Sequence, residues 1–500
     1  MRAITRPSIQ LLGQSSKRPV VKAQRCILRR WQSSATSAFE TRQWSTPLAK
    51  HLAEAITTTG PIPVAAYMRQ CLTSPGGGYY TSGAEGRDQF GSKGDFITSP
   101  EISQVFGELI GLWIVAEWMA QGKKSSGIHI IEVGPGRGTL MNDMLRTLRN
   151  FKSLADSIDT IYLVEASKPL REAQHRLLCG DASLEETEVG HRSMSKYTPG
   201  QEIIWCEDMK FVPKDDSTTP FVIAHEFFDA LPIHVFQAVT PSTSSPTPSI
   251  TTSTTAPPPS RRLPKAKEWR ELLVAPTSPH ATIAATATDK SKADPEFELI
   301  QSKIATPHSQ YLPKVSARYN SLLSMPDSVI EISPESLALA ADFARRIGGT
   351  STGSSKVSGA ALILDYGPAT TIPTNSLRGI KAHEICSPFA SPGQVDLSAD
   401  VDFTGLAEAA LNASPNVEVH GPVEQATFLS AMGIRERAHA LVQKAGSDKV
   451  AAERIESGWK RLVDRGPNGM GKTYKAMAIV PHTPDAEMRR PVGFGGDVVT

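Results

Sequence analysis

Short apolar runs rich in β-branched residues recur along the chain, and several of them end in an acid or a glycine. Between these runs lie stretches with apolar positions at helical spacing, as at Leu140, Met144 and Leu148. Buried strands and amphipathic helices have these two periodicities. The predicted strands are 128–133, 160–165, 203–206, 221–224, 360–367 and 475–480, the last of which closes the sheet. Their alternation with helices predicts an α/β fold with a doubly wound sheet.

The first predicted strand ends in Glu132, and glycines follow at positions 134, 136 and 138. Strand, glycine turn and helix form the nucleotide-cradling unit of such sheets. A dinucleotide fingerprint needs a third small residue one position later, where this chain has Thr139. The acid before the turn suits a ligand with a positive charge and an amino group. S-adenosyl-L-methionine has both, although a glycine turn that binds no ligand would show the same pattern.

Acids also follow the other predicted strands. Glu165 lies 27 residues beyond the last of these glycines, about where such folds place the carboxylate that holds ribose hydroxyls. Asp208, after the third strand, is placed to accept from an adenine amino group. His225, Glu226 and Asp229 follow the fourth strand. Because open α/β sheets bind ligands at the carboxyl ends of their strands, we expect these side chains to surround one site.

The remaining segments predict a helical N-terminal part and an inserted subdomain. A helical pair is expected over 48–72, and a helix that flanks the sheet begins at the Ser99-Pro100-Glu101 capping signal and continues to about residue 119. The insertion covers about 238–359, and its Pro/Ser/Thr-rich part, 240–264, is predicted to be disordered. Further predictions are a hairpin of 236–239 with 269–274, helices over 333–347, 404–411 and 424–431, and loop-like structure over 377–403.

Charge separates the first residues from the rest of the chain. Residues 1–39 contain eight basic residues and no acid, together with many serines and scattered apolar residues. This composition is typical of a mitochondrial transit peptide. A secretory signal does not fit, since no long apolar core is present. The formal net charge of the chain is +2, so loss of the eight basic residues leaves −6. A mildly acidic mature protein is a poor candidate for nucleic-acid binding through bulk charge.

The sequence fits neither a membrane-spanning protein nor one held together by disulfides or a cysteine zinc site. No uncharged apolar stretch is long enough to span a membrane, since the best candidate, 105–120, carries Glu108 and Glu117. The five cysteines are scattered without a Cys-x-x-Cys pair, so neither a disulfide framework nor a zinc site is expected from them.

Several segments resemble the MidA-like methyltransferases over roughly residues 48–485. They are Thr98–Glu108, Glu132–Thr139, Glu226–Pro232, Leu364–Gly367, Pro392–Asp396, Asp400–Phe403 and Gly421–Gln425. His225 departs from the resemblance, because the family usually has Asn there, and so do the two low-complexity insertions. The resemblance implies a class I, Rossmann-like methyltransferase domain over 48–485, with its core at about 94–237 and 360–480.

The resemblance also implies a function. Mitochondrial members are protein arginine methyltransferases that serve the assembly of respiratory complex I, so the implied cofactor is S-adenosyl-L-methionine and the implied partner is an arginine of a complex I subunit. Together with the basic leader, this implies a location in the mitochondrial matrix. The alternatives are a non-catalytic assembly chaperone and a methyltransferase for another substrate. An oligomer is left open.

The site residues are expected to divide into two groups. Gly134, Pro135, Gly136, Gly138 and Glu132 are expected to hold the methionine part of the cofactor, with Glu165 at the ribose and Asp208 at the adenine. Glu226 and Asp229 are expected to pair with the guanidinium of the substrate, since paired carboxylates fix its plane. His225 is expected to accept a proton or position the substrate. Asp396, Asp400 and Asp402 suggest a metal, but the reaction needs none and none is expected.

Overall fold

The structure is a computed structural model that describes residues 42–81, 94–215, 217–240, 267–278, 295–349, 357–482 and 489–496. The predicted transit peptide over 1–39 lies outside the described residues, and so does the predicted disordered segment beyond Thr240. Nearly all described residues belong to one compact unit, formed by Trp44–Thr277 and Ala287–Thr500. The other unit, Met1–Gln43 with Ser278–Thr286, lies almost wholly outside them.

The strands are β1 Ile62–Pro63, β2 Ile128–Val133, β3 Ile158–Val164, β4 Glu185–Thr187, β5 Gly190–Met194, β6 Glu202–Cys206, β7 Thr219–His225, β8 His234–Val239, β9 Glu268–Pro276, β10 Phe297–Gln301, β11 Val329–Ile332, β12 Ala360–Tyr366, β13 Arg378–Lys381, β14 Glu384–Cys386, β15 Asp396–Ser398, β16 Val417–Glu424 and β17 Tyr474–Pro481. The helices are α1 Pro47–Thr59, α2 Val64–Thr73, α3 Ser99–Ile102, α4 Gln104–Ala120, α5 Thr139–Leu148, α6 Lys152–Ala155, α7 Lys168–Cys179, α8 Pro307–Tyr311, α9 Ala317–Ser321, α10 Pro334–Gly348, α11 Phe403–Ala413, α12 Gln425–Ala431, α13 Ile434–Ala445 and α14 Lys449–Val463.

A nine-stranded sheet in the order β16-β17-β12-β7-β2-β3-β6-β5-β4 forms the centre of the molecule. Its five inner strands, from β12 to β6, are parallel, and they confirm the predicted α/β fold. The flanking strands β17 and β5 are antiparallel to their inner neighbours. β17 does not close the sheet as expected, because β16 pairs with its outer side. The sequence analysis also did not predict the polar strands β4 and β5.

The middle residues of the inner strands are mostly apolar, as expected for a sheet that is covered on both faces. Every residue of β7 and β12 is buried. One face packs against α4, α5 and the C-terminal helices, and the other packs against α10 and α11. Strands buried on both sides have continuous apolar runs and no alternation. This is why the sequence pattern located them well.

Strands β9, β10 and β11 of the predicted insertion form a second sheet with β1 and β8, which we call the inserted sheet. In it β9 pairs with β8, β1 and β10, and β8 also pairs with β11. The hairpin of β8 and β9 confirms the prediction. Helices α1 and α2 pack on this sheet, together with residues 395–399. The loop predicted over 377–403 was wrong, since β13, β14 and β15 form a small antiparallel sheet there.

The helix predicted from Ser99 to about residue 119 is in fact two helices, because Ser103 adopts an extended conformation between α3 and α4. Thr98 caps α3 in a capping box with Glu101. The carboxylate of Glu101 is thereby held at the start of α3, next to the carboxyl ends of the central strands. This short helix becomes one wall of the site described below.

Candidate active site

A cavity of about 630 Å³ opens at the carboxyl ends of β2, β3, β6 and β7. The turn Gly134–Gly136, Glu132 and Glu165 form one side, which we call the sheet wall. Thr98, Pro100, Glu101 and His225–Phe227 form a second part of the lining, which we call the acceptor wall. The structure therefore brings most of the predicted site residues together around a single space.

The glycine turn follows directly from the end of β2. Gly134 and Gly136 have positive φ angles of 65° and 53°, which glycine adopts at little cost. A Cβ atom on Gly134 would also lie 2.4 Å from Cδ2 of Phe227. Gly138 lies at the N-cap of α5 and is not part of the cavity lining, unlike Gly134, Pro135 and Gly136. The structure therefore places Gly138 where it shapes the turn, away from direct contact with a ligand.

Glu132 is the most unusual group of the sheet wall. It is 2% exposed, and its Oε2 atom has no hydrogen-bond partner among the described residues. Burial, together with the charge of Glu165, raises the pKa of Glu132 to about 8. A buried carboxylate without a partner is costly. A cationic or amino-bearing ligand in the cavity would remove that cost, so the residues present fit S-adenosyl-L-methionine.

Glu165 is buried beside the turn and already holds part of its surroundings. It accepts hydrogen bonds from the backbone N–H of Ser167 at 2.8 Å and from Nε2 of Gln174 at 3.3 Å. Burial is the main reason that its pKa is raised to about 7. Because a carboxylate accepts about four hydrogen bonds, Glu165 retains capacity for ribose hydroxyls.

Asp208 lines the cavity but its carboxylate is engaged locally. It accepts from the backbone N–H of Lys210 at 2.9 Å and forms an ion pair with Lys210 Nζ at 3.2 Å. Half of its side chain is exposed. Asp208 is therefore less suited than Glu165 to a specific contact with the cofactor.

Glu226 lies on the acceptor wall, directly after β7. Its φ angle of 48° is in the left-handed region, which is uncommon for a residue with a side chain. Its carboxylate is 7% exposed and accepts from the backbone N–H of Ser99 at 3.3 Å. Nε2 of His225 lies 3.2 Å from Oε1 of Glu226, but the angles do not make a hydrogen bond and this nitrogen has no partner in the described part of the chain.

The strained turn at Glu226 is held by a residue that sequence reasoning missed. Oδ2 of Asp365 accepts from the backbone N–H groups of Phe227 at 3.1 Å, Phe228 at 2.9 Å and Asp229 at 3.4 Å. Its Oδ1 accepts from the N–H of Tyr366 at 2.9 Å. Asp365 thus fixes the backbone that directs Glu226 into the cavity. Asp365 lies within Leu364–Gly367, one of the segments that resemble the family, but the sequence alone did not indicate its role in the turn.

Asp229, which we expected to contact the substrate, is not part of the cavity lining. It is buried, and its Oδ2 accepts from the hydroxyl of Tyr366 at 2.5 Å. Burial raises the pKa of Asp229, while the Tyr366 hydrogen bond lowers it in part. The structure therefore places Asp229 outside the cavity lining that contains Glu226, and its expected contact with the substrate stays a prediction.

Glu101 supplies the second acid of the acceptor wall. Its side chain is 11% exposed and lines the cavity, with Nη1 of Arg137 at 3.5 Å from its Oε1. Burial raises its pKa, and the charge of Glu226 contributes to this. The sequence had identified Glu101 only as a helix-capping residue.

The three acids that suggested a metal have other partners. The hydroxyl of Tyr80 donates to Asp396 at 2.9 Å, Arg378 pairs with Asp400 at 2.8 Å, and Asp402 pairs with Arg318 at 3.2 Å. Asp402 also caps α11 through the N–H of Gly405. These contacts give each acid a structural role.

A parallel sheet with a glycine turn and carboxylates at its strand ends defines a nucleotide-binding α/β protein. The chain belongs to the family described as "Putative S-adenosyl-L-methionine-dependent methyltransferase", whose model matches residues 109–423. Its cofactor is accordingly S-adenosyl-L-methionine.

Curated relatives cover most of the chain. It is 37% identical to the rat protein named "Protein arginine methyltransferase NDUFAF7, mitochondrial", over 87% of this chain and 85% of the relative. It is 35% identical to the Drosophila melanogaster homologue, over 90% of this chain and 88% of the relative. Like these relatives, the chain is mitochondrial.

A solved structure has the same fold. It is a Burkholderia thailandensis protein bound to S-adenosyl-homocysteine, with a TM-score of 0.60 and 20% identity over 92% of this chain and 95% of the other. Across the part of the chain that the structure describes, no helix combines the length and apolar character needed to cross a membrane.

Proposed function

We propose that this chain is a protein arginine methyltransferase of the mitochondrial matrix that modifies a subunit of respiratory complex I during assembly. The names of the curated relatives support the activity and a mitochondrial location. We also propose that residues 48–485 act as one methyltransferase domain, with its core at about 94–237 and 360–480 and an insertion between them.

The observation that carries this proposal is the largely buried carboxylate of Glu226, which lines the same cavity as the glycine turn. A guanidinium is a weak nucleophile while its charge is delocalised over three nitrogens. A carboxylate that binds two of its N–H groups fixes the plane and draws charge away from the attacking nitrogen. Glu101 lines the same cavity and provides a second acid for the same cation.

When bound, the cofactor supplies an electrophilic methyl group on a sulfonium. The guanidinium nitrogen forms the new N–C bond while the C–S bond breaks, and the nitrogen then loses a proton. The chain mainly aligns the two partners, since in-line displacement depends on position. Glu226 orients the nucleophile, and Nε2 of His225, 3.2 Å from Oε1 of Glu226, is placed to take up the proton.

The sheet wall holds the donor in this proposal. The backbone of Gly134, Pro135 and Gly136 faces the methionine part, and Glu132 offers Oε2 to its amino group. Glu165 accepts from the ribose. Gly138 acts through the shape of the turn, and Asp208 makes at most a weak contact with the adenine, because Lys210 already engages it.

The proposal is tested by quantitative mass spectrometry of arginine methylation in mitochondria that lack this chain. Wild-type protein should restore at least one lost mark on a complex I subunit, Glu226→Gln should not, and the exposed-site control Glu298→Gln should behave as wild type. Restoration of complex I assembly by Glu226→Gln without the mark would favour an assembly chaperone. Loss of marks only on other molecules would favour a different substrate.

A further inference from the structure

Away from the cavity, two histidines and a glutamate converge on the inserted sheet. His234 begins β8, Glu271 lies on β9, and His308 lies on the short helix α8. One ligand atom from each residue lies within 4.8 Å of the other two. None of the three lines the active-site cavity.

The carboxylate of Glu271 is the centre of this cluster. It is 1% exposed, with Oε1 at 2.7 Å from Nδ1 of His234 and Oε2 at 3.6 Å from Nδ1 of His308. The hydroxyl of Thr306 donates to Oε2 at 2.5 Å and so orients the carboxylate.

We propose that His234, Glu271 and His308 form a binding site for a divalent transition-metal ion, with Zn²⁺ as the ion that the donor set fits best. Two imidazole nitrogens and one carboxylate oxygen are ligands that Zn²⁺ prefers, and a water completes the tetrahedron. Thr306 acts as the outer partner that aligns the carboxylate.

The ligand side chains must draw closer together to accept the ion. Tetrahedral ligands at about 2.0–2.2 Å from Zn²⁺ lie about 3.3–3.6 Å from one another. The contacts of His234 and His308 with Glu271, 2.7 and 3.6 Å, involve different carboxylate oxygens, and one ligand atom from each of the three residues lies within 4.8 Å of the other two. His308 is 48% exposed on a five-residue helix, so its ring has room to move and the ion can enter from solvent.

A bound ion would link α8, which carries His308, to the sheet that carries His234 and Glu271. Without a metal, the same cluster is held by the 2.7 Å contact between Nδ1 of His234 and Oε1 of Glu271, with His308 beside it.

The test uses the full chain without a histidine tag, stripped with a chelator and then desalted. Zn²⁺ is titrated by calorimetry, and Co²⁺ by its visible absorption. We expect one ion per chain, and at least about a 30-fold loss of affinity in His308→Ala, since removal of one of three ligands costs at least about 2 kcal/mol. His51→Ala, which removes an exposed histidine on α1, should bind as wild type.

Glu271→Gln should also lose binding, and circular dichroism checks that both variants are folded. His308 is half exposed, so its replacement should leave the fold intact. No binding by the stripped wild-type chain, or equal binding by His308→Ala, would overturn the proposal. Neither result bears on methyl transfer, because the cluster lies outside the active-site cavity.

Discussion

The two walls of the cavity differ in how the chain builds them. The sheet wall comes from the end of β2, the glycine turn that follows it, and the residue directly after the next strand, β3. The acceptor wall joins the turn at Glu226 to Ser99 and to Asp365, which are 127 and more than 135 residues away along the chain. Local sequence therefore determines how the donor is held, whereas tertiary contacts determine how the acceptor is aligned. Changes on the two walls should have separable effects.

The largest effect is expected from Gly134→Ala, which attacks the sheet wall. The new Cβ would lie 2.4 Å from Phe227 in a left-handed backbone. A cost of about 3 kcal/mol for strain and overlap corresponds to about a 100-fold loss of cofactor affinity in calorimetry. Gly122→Ala is the matched control, because Gly122 also has a positive φ but no atom within 4 Å of the added Cβ. Equal affinities in the two variants would contradict the close fit at the turn.

Glu132→Gln should weaken cofactor binding about 30-fold, since a charge-assisted hydrogen bond contributes about 2 kcal/mol. It should also change stability without cofactor. The pKa of Glu132 is raised to about 8, so the stability that its protonated form provides is lost as the pH rises through about 8. The melting temperature of Glu132→Gln relative to wild type should therefore be higher at pH 9 than at pH 6. If the melting temperature of Glu132→Gln relative to wild type were higher at pH 6 than at pH 9, the raised pKa of Glu132 would not be the cause.

Asp365→Asn tests the acceptor wall through its support. Both carboxylate oxygens of Asp365 accept from backbone N–H groups, so either orientation of an amide places its NH₂ group against a donor. We expect kcat to fall about 10-fold, in line with a misplaced catalytic group, while the cofactor dissociation constant changes by less than about 2-fold. Asp448→Asn is the control, because Asp448 also accepts from a backbone N–H but caps the remote helix α14. A parallel loss of cofactor binding would show that Asp365 does not act through the acceptor wall.

The smallest effect is expected from Asp208→Ala. Its carboxylate is engaged by Lys210, so cofactor affinity should change by less than about 3-fold, or about 0.6 kcal/mol. Glu165→Gln, on the same side of the cavity, should cost more because Glu165 is buried and fixed toward the ligand. Calorimetry on the two variants shows which one loses more cofactor affinity. A larger loss in Asp208→Ala would support the adenine contact that the sequence suggested.

The sequence predicted the sheet wall well because its information is local. A buried strand, a glycine turn and an acid are all visible within a dozen residues, and the central strands carry continuous apolar runs. The acceptor wall was predicted only in part. The sequence did not indicate the hydrogen bond between Asp229 and Tyr366, because the two residues are 137 positions apart, and it missed Asp365 for the same reason.

The sequence did not predict the polar edge strands and the small sheet, for different reasons. β4 has only three residues, none of them buried, so it has no apolar pattern to find. β13 to β15 have three or four residues each and lie among glycines and prolines. The histidine–glutamate cluster was also beyond sequence reasoning, since its members are separated by 37 residues or more and the strand register brings them together.

The separation of the two walls is tested most directly by one paired measurement on Glu226→Gln. Calorimetry gives its dissociation constant for S-adenosyl-L-methionine, and a single-turnover assay gives its rate of methyl transfer to an arginine-containing complex I subunit. We expect a dissociation constant within about 3-fold of wild type and transfer at least about 100-fold slower, the usual range for loss of a group that stabilises the transition state. Normal transfer by this variant, or a cofactor affinity that falls together with the rate, would contradict this separation of the two walls.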